Sequence, residues 1–150
     1  MATEVSRPAD LLDLVGEPMG ESRWYEITQH QVNQFADATR DHQWIHVNPE
    51  QARQGPFGGP IAHGFLTLAL AQQFLADTLS VQETAAQLNY GLNKVRFTAP
   101  VPVGGRVRGV VKLTGAKQRA TGVEASFEIT VELHGSERPA LVAETLVLYR

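Results

Sequence analysis

The sequence predicts an α+β domain in which an antiparallel sheet wraps one face of a central buried helix. Three observations carry that prediction. His63 to Leu79 is apolar nearly all round through its first three turns, the pattern of a helix enclosed by other elements. From Leu88 onward the apolar period changes to two, most clearly where Val123, Ala125, Phe127, Ile129, Val131 and Leu133 alternate with Glu124, Ser126, Glu128, Thr130 and Glu132. The 150 residues, 43% hydrophobic and 19% charged, suffice for one domain, 1–150, with one substantial core and no long disordered stretch.

Taken in order, the chain opens with a polar lead and an apolar cluster at Leu11, Leu12, Leu14 and Val15. Arg23 to Ile27 is read as a first strand. Thr28 and Gln31 have capping-box spacing, with Ile27 and Val32 as a hydrophobic staple, so a helix is expected to start at Gln29 and to turn Val32, Phe35 and Ala36 inward. Asn48, Pro49 and Gln51 repeat the cap signature and predict a second short helix before Gly55. The run Gly55 to Pro60 has two prolines and three glycines and must be a loop. After the central helix, strands are expected over Leu88 to Phe97, Val107 to Leu113, Val123 to Leu133 and Leu141 to Tyr149. Turns are expected over Gly115 to Gly122 and Gly135 to Pro139. Between Leu92 and Val95 the apolar phase slips, which predicts a bulge near Asn93.

Composition removes several function classes. A net charge of −3 gives no general attraction for phosphate polymers, so nucleic acid is not an expected partner. The absence of cysteine excludes disulfides, thiolate nucleophiles and Cys-ligated zinc. The first ten residues lack the basic start and apolar run of a secretory signal, so the cytoplasm is the expected address. Phe65 to Leu79 is shorter than a membrane span and contains Gln72, Gln73 and Asp77, so no membrane partner is expected.

The ionisable residues concentrate in Thr39 to Pro49, just past the expected end of a helix, where loops often carry function. Asp41 and His46 would lie about 140° apart on a continuous helix, so they can converge only if the chain bends between them. Two readings stand at this point: a converging acid and imidazole, or a surface loop acid beside a hydrogen-bonded, partly buried histidine. His42 and His46 share the i, i+4 spacing of a zinc-protease helix, but Gln43 stands where that motif needs glutamate and no third ligand has a recognisable spacing. No metal is expected.

Asp41-His42-Gln43-Trp44-Ile45-His46, followed by Pro60-Ile61-Ala62-His63-Gly64-Phe65, resembles the (R)-specific enoyl-CoA hydratases of the MaoC-like dehydratase family, over about Trp24 to Tyr149. The resemblance implies the hot-dog fold. In the common pattern a Gly-Asp pair precedes Asn-Pro, an aliphatic residue and histidine; here Arg40 precedes Asp41 and Gln43-Trp44 replaces Asn-Pro, which resembles the NodN-like branch. Both catalytic positions are intact, and the departures bear on pocket shape and acyl preference.

What the resemblance implies for the site is a shared Asp41/His46 dyad gripping one water, with the backbone N–H of Gly64 as oxyanion donor. That assignment suits the free N–H groups and positive dipole end of a helix start. His63 is read as structural. Phe57 and Trp44 are candidate walls of the acyl pocket, and Lys94 and Arg96, with Arg106 and Arg108, are candidates to meet the phosphates of coenzyme A. No metal or redox cofactor is implied. A homodimer is expected, because pairing would cover an exposed sheet edge. A hot-dog thioesterase and a non-catalytic acyl-thioester sensor are the competing functions, since fold alone does not decide.

Overall fold

The computed structural model describes residues 2–150. The chain opens with strand β1 (Thr3–Val5), a 3-10 turn over Pro8–Asp13, and strands β2 (Pro18–Glu21) and β3 (Tyr25–Glu26). Helices α1 (Gln29–Thr39), α2 (Trp44–Val47), α3 (Pro49–Arg53), α4 (Gly64–Ala69) and α5 (Ala71–Thr78) follow. The chain then passes through β4 (Leu79–Val81) into β5 (Gln87–Phe97), β6 (Arg106–Arg119), β7 (Gly122–Leu133) and β8 (Leu141–Tyr149). No helix among the described residues is long and apolar enough to cross a membrane.

Among the described residues, antiparallel strands run in the order β2-β6-β7-β8-β5, with β3 also on β6, while β1 and β4 form a separate parallel pair. Alternation decides which side chains face the helix. Val107, Val111 and Leu113 of β6, Phe127, Ile129 and Val131 of β7, and Leu141, Ala143 and Val147 of β8 are buried in one cluster with Leu66, Phe74 and Leu75 of α4 and α5. Each large side chain so enclosed contributes roughly 1.5–3 kcal/mol of burial free energy. Where the central helix crosses β6, Phe74 lies over Gly109, leaving no room for a Cβ there.

Both N-caps form: Thr28 Oγ1 accepts from Gln31 N–H at 3.1 Å, the first half of the expected capping box, and Asn48 Oδ1 accepts from Gln51 N–H at 3.1 Å. The register of β5 on β8 slips between Leu92 and Lys94, at the expected bulge, and again between Asn89 and Gly91.

Three expectations need correction. The first strand is only Tyr25–Glu26, preceded by β1 and β2, which carry no periodic signal. The 3-10 turn holds Leu11 and Leu12 of the apolar cluster, with Leu14 at its C-cap and Val15 beyond it. Val107 to Leu113 continues to Arg119, because pairing with β7 carries the ladder through Gly115 to a tight turn at residues 120–121, with a register shift between Leu113 and Gly115. The central helix is not enclosed all round: Phe65, Ala69, Gln72, Gln73 and Ala76 are exposed, Phe65 by 67%. Its two segments run on through Leu70, bridged by Leu70 N–H to Leu66 O at 3.2 Å and Phe74 N–H to Leu70 O at 3.0 Å. The helix ends at Thr78, where Leu79 turns extended to begin β4.

Candidate active site

The end of α1 aims the site. Arg40 caps it in the left-handed region, at φ 63°, and reverses the chain before a second short helix begins at Trp44. This is the bend that Asp41 and His46 need in order to meet. His46 is only 6% exposed; its Nδ1 donates to the carbonyl oxygen of Ile61 across 2.7 Å, which leaves Nε2 as the unprotonated nitrogen of a neutral ring. Burial is the main influence holding the His46 pKa below its ordinary value, and nearby His63 acts in the same direction. The Ile61 bond and Asp41 oppose them.

A carboxylate oxygen of Asp41 and one ring nitrogen each from His46 and His63 lie within 4.8 Å of one another. Asp41 is exposed, and the two histidines are buried. His63 Nε2 donates to the backbone oxygen of Asp41 at 2.9 Å, and its ring stacks on His46 at 3.9 Å between centroids, 24° from parallel. Sequence reasoning left His63 out of the site. No local spacing reveals it, because its partner Asp41 is 22 positions away and only the fold joins them.

Three such groups raise the question of a metal. Imidazole lone pairs lie in the ring plane, and a zinc ion sits about 2.0–2.1 Å from each ligand nitrogen. Rings stacked nearly parallel direct their lone pairs side by side rather than to one point. The arrangement suits holding and passing a proton better than chelation. His42 turns back to Asp37 of α1 at 2.9 Å, away from any i, i+4 pairing with His46.

Beside this cluster is a cavity of about 280 Å³ that His46, Phe57, Gly64, Thr67 and Phe97 help to line. Gly64 is the first residue of α4, so its N–H has no partner within the helix. A Cβ at Gly64 would stand 2.9 Å from the Phe97 ring, so close packing alone already calls for glycine. Thr67 lies one turn along the same helix face, a signal the sequence did contain; the Phe97 to Val101 wall, brought in from the end of β5, had none.

The other sequence candidates fall elsewhere. Trp44 is not among the lining residues; its ring rests on Gly55, at the root of the loop that carries Phe57. Lys94 and Arg96 line a neighbouring cavity of about 310 Å³, which shares Thr98 with the first. Arg106 and Arg108 are on β6, where Arg108 pairs with Glu21 at 2.8 Å and Glu132 at 2.6 Å.

Comparison with known proteins agrees with this architecture. The MaoC like domain family matches residues 10–134. The chain is 54% identical over 142 residues to 3-hydroxyacyl-thioester dehydratase Z of Mycobacterium tuberculosis, covering 94% of each chain. It is 43% identical over 143 residues to Nodulation protein N of Rhizobium leguminosarum bv. viciae, covering 93% of this chain and 89% of that one. The solved (R)-hydratase from A. caviae superposes with a TM-score of 0.75 over 91% of this chain and 96% of that one; at 23% identity the likeness establishes the hot-dog fold. The chain belongs to the MaoC-like dehydratase family and is a hydro-lyase of hot-dog fold.

Proposed function

We propose that this protein is an (R)-specific enoyl-CoA hydratase, adding water reversibly across a trans-2-enoyl-CoA to give the (R)-3-hydroxyacyl-CoA without a metal or redox cofactor. The observation that carries the reading is the approach of the Asp41 carboxylate to the His46 ring within 4.8 Å, beside the cavity that reaches Gly64. The relative named for dehydration of 3-hydroxyacyl thioesters, the reverse direction, supports it.

In the forward direction one water is held between Asp41 and His46. Its oxygen bonds to the β-carbon while the dyad takes its proton, and the same dyad returns a proton to the α-carbon on the same face. Charge that develops on the thioester oxygen meets the free N–H of Gly64 at the positive end of the helix. Burial keeps His46 neutral and therefore able to accept a proton. Which of the pair accepts first is a property of the coupled dyad.

The acyl chain enters the 280 Å³ cavity against Phe57, Ile61, Ala62 and Val101. Trp44 acts on that wall through its seat on Gly55. Lys94 and Arg96, which line the adjoining cavity, are the cations assigned to the phosphates of coenzyme A. We assign the working form as a cytoplasmic homodimer. β5 is a free edge of the sheet with Leu88, Tyr90, Leu92 and Phe97 exposed, an arrangement that favours pairing with a second copy.

The test is incubation with enoyl-CoA esters of increasing chain length, following loss of the enoyl thioester and the configuration of the product. Conversion to the (R)-alcohol is expected; release of free thiol without hydration, or formation of the (S)-alcohol, would overturn the proposal. Light scattering on the eluting protein should give twice the chain mass of 16.4 kDa.

A further inference from the structure

His63 touches each part of the site without belonging to the proton-handling pair. It directly precedes Gly64, is only 2% exposed, bonds the Asp41 backbone through Nε2, stacks on His46, and meets Phe35 of α1 at 4.9 Å on another side. Since a carbonyl oxygen only accepts, Nε2 carries the proton and Nδ1 is a bare lone pair. That Nδ1 is buried and has no hydrogen-bond partner among the described residues. A residue that served only to fill this space would be better apolar, because phenylalanine keeps the contact with Phe35 and leaves no buried acceptor unsatisfied. The polar ring is explained by what its bonded nitrogen and its face do.

The geometry points to His63 as the positioning residue of the hydration site: its Nε2–H fixes the backbone of Asp41 while its face holds the His46 ring, keeping carboxylate and imidazole on one water. The inference rests on the hydratase reading above. Asp41 needs such a tether. It follows a left-handed Arg40, its side chain is exposed, and the hydrogen bond its carboxylate makes is a long 3.5 Å contact from Gln43 N–H. His46 is held at one edge by Ile61, and the stack supplies the second constraint on the ring. The titratable groups that face His46 are His63, from the cap of α4, and Asp41, from the loop after α1. Two imidazolium rings at stacking distance would repel, which is the direction in which His63 acts on His46.

The experiment compares His63→Phe, which keeps a ring but loses the donor, with His63→Gln, which keeps an N–H able to reach the Asp41 carbonyl but loses the ring. Turnover of crotonyl-CoA and the NMR titration of the His46 ring are read on both. For His63→Phe the expected result is a fall in kcat of about 100-fold, the scale set by small misplacements of reacting groups, with KM changed by less than about threefold. His63→Gln should recover kcat to within about tenfold of wild type, and in both variants the His46 titration should rise, because the repulsion from His63 is gone. Near-normal kcat in His63→Phe overturns the inference, and so does an unmoved His46 titration in either folded variant. Should His63→Phe fail to fold, the His46 titration in His63→Gln decides. A wild-type protein that cannot hydrate enoyl-CoA sinks the hydratase reading and the inference with it, whereas wild-type turnover with an unaffected His63→Phe sinks the inference alone.

Discussion

The Nδ1–H of His46 donates to the carbonyl oxygen of Ile61 across 2.7 Å, and Ile61 N–H in turn donates to the carbonyl of Ile45, the residue before His46, at 3.0 Å. The reciprocal pair binds the short helix carrying His46 to the segment that leads into α4. It fixes the tautomer and the position of the imidazole together, so the free nitrogen is presented to the cavity wall by backbone rather than by another side chain.

That bond sets a pH expectation. Burial, reinforced by His63, holds His46 below the ordinary histidine value of 6.5, against the pull of Ile61 and Asp41. The unfolded chain then binds the proton more readily than the folded one. The associated stability is complete above pH 6.5 and is lost as pH falls through the lower folded value. The urea midpoint should therefore decline on acidification below 6.5, and His46→Gln should show a smaller decline over the same range. The acid limb of kcat/KM should likewise fall below 6.5; a limb above it would mean that protonated His46 is not what stops the enzyme.

Asp41→Asn and His46→Gln should each lower kcat by about 100- to 10,000-fold, the range for a general acid–base group, with far-UV circular dichroism unchanged. The double variant should cost little more than the worse single one, because the two groups act as a unit on one water. Additive losses in the double variant would show two independent roles.

Much of this site was legible because its determinants are local. The caps at Thr28 and Asn48 delimit α1 and α3, the Gly55 to Pro60 run separates them from the central helix, and the need for a bend between Asp41 and His46 follows from helix geometry. The alternation of β7 and β8 is equally local. His63 was not legible, because its bond to Asp41 and its stack on His46 come from tertiary folding. The β1–β4 pair has three residues per strand, too few for a period to register. The exposed face of α4 and α5 carries Phe65, Ala69 and Ala76, whose apolar character in sequence cannot separate a face turned into this chain's core from one left open.

Arg40 is the one non-glycine residue with positive φ among the described residues, at the position where the family's common pattern has glycine. An L side chain in this conformation costs roughly 1–2 kcal/mol, and part of that gain is returned by glycine's greater freedom in the unfolded chain. Arg40→Gly should therefore stabilise by about 0.5–1 kcal/mol with hydration unchanged, whereas Arg40→Val, branched at Cβ, should destabilise by more than that. Chemical denaturation of the pair reads the sign directly, and equal midpoints would mean that no strain resides there.

Gly109 makes the opposite case, where glycine is demanded by a neighbour rather than by backbone angle. β2 pairs with Val110 to Lys112 and β3 with Arg106 and Val107, so Gly109 falls between them, and Ser22 fills the break. Its N–H donates to Gly109 O at 2.8 Å, and its Oγ accepts from Gly109 N–H at 2.9 Å. Phe74 then lies so near the Gly109 Cα that an added methyl would strike the Cβ and Cγ of that side chain, which cannot swing aside as a flexible tip would. Gly109→Ala should destabilise by about 1–3 kcal/mol, the usual penalty for overpacking. In a Phe74→Gly background the alanine should cost at least about 1 kcal/mol less, because both the Cβ and the Cγ it meets are gone; a double-mutant cycle with no coupling between the two positions would place the strain elsewhere.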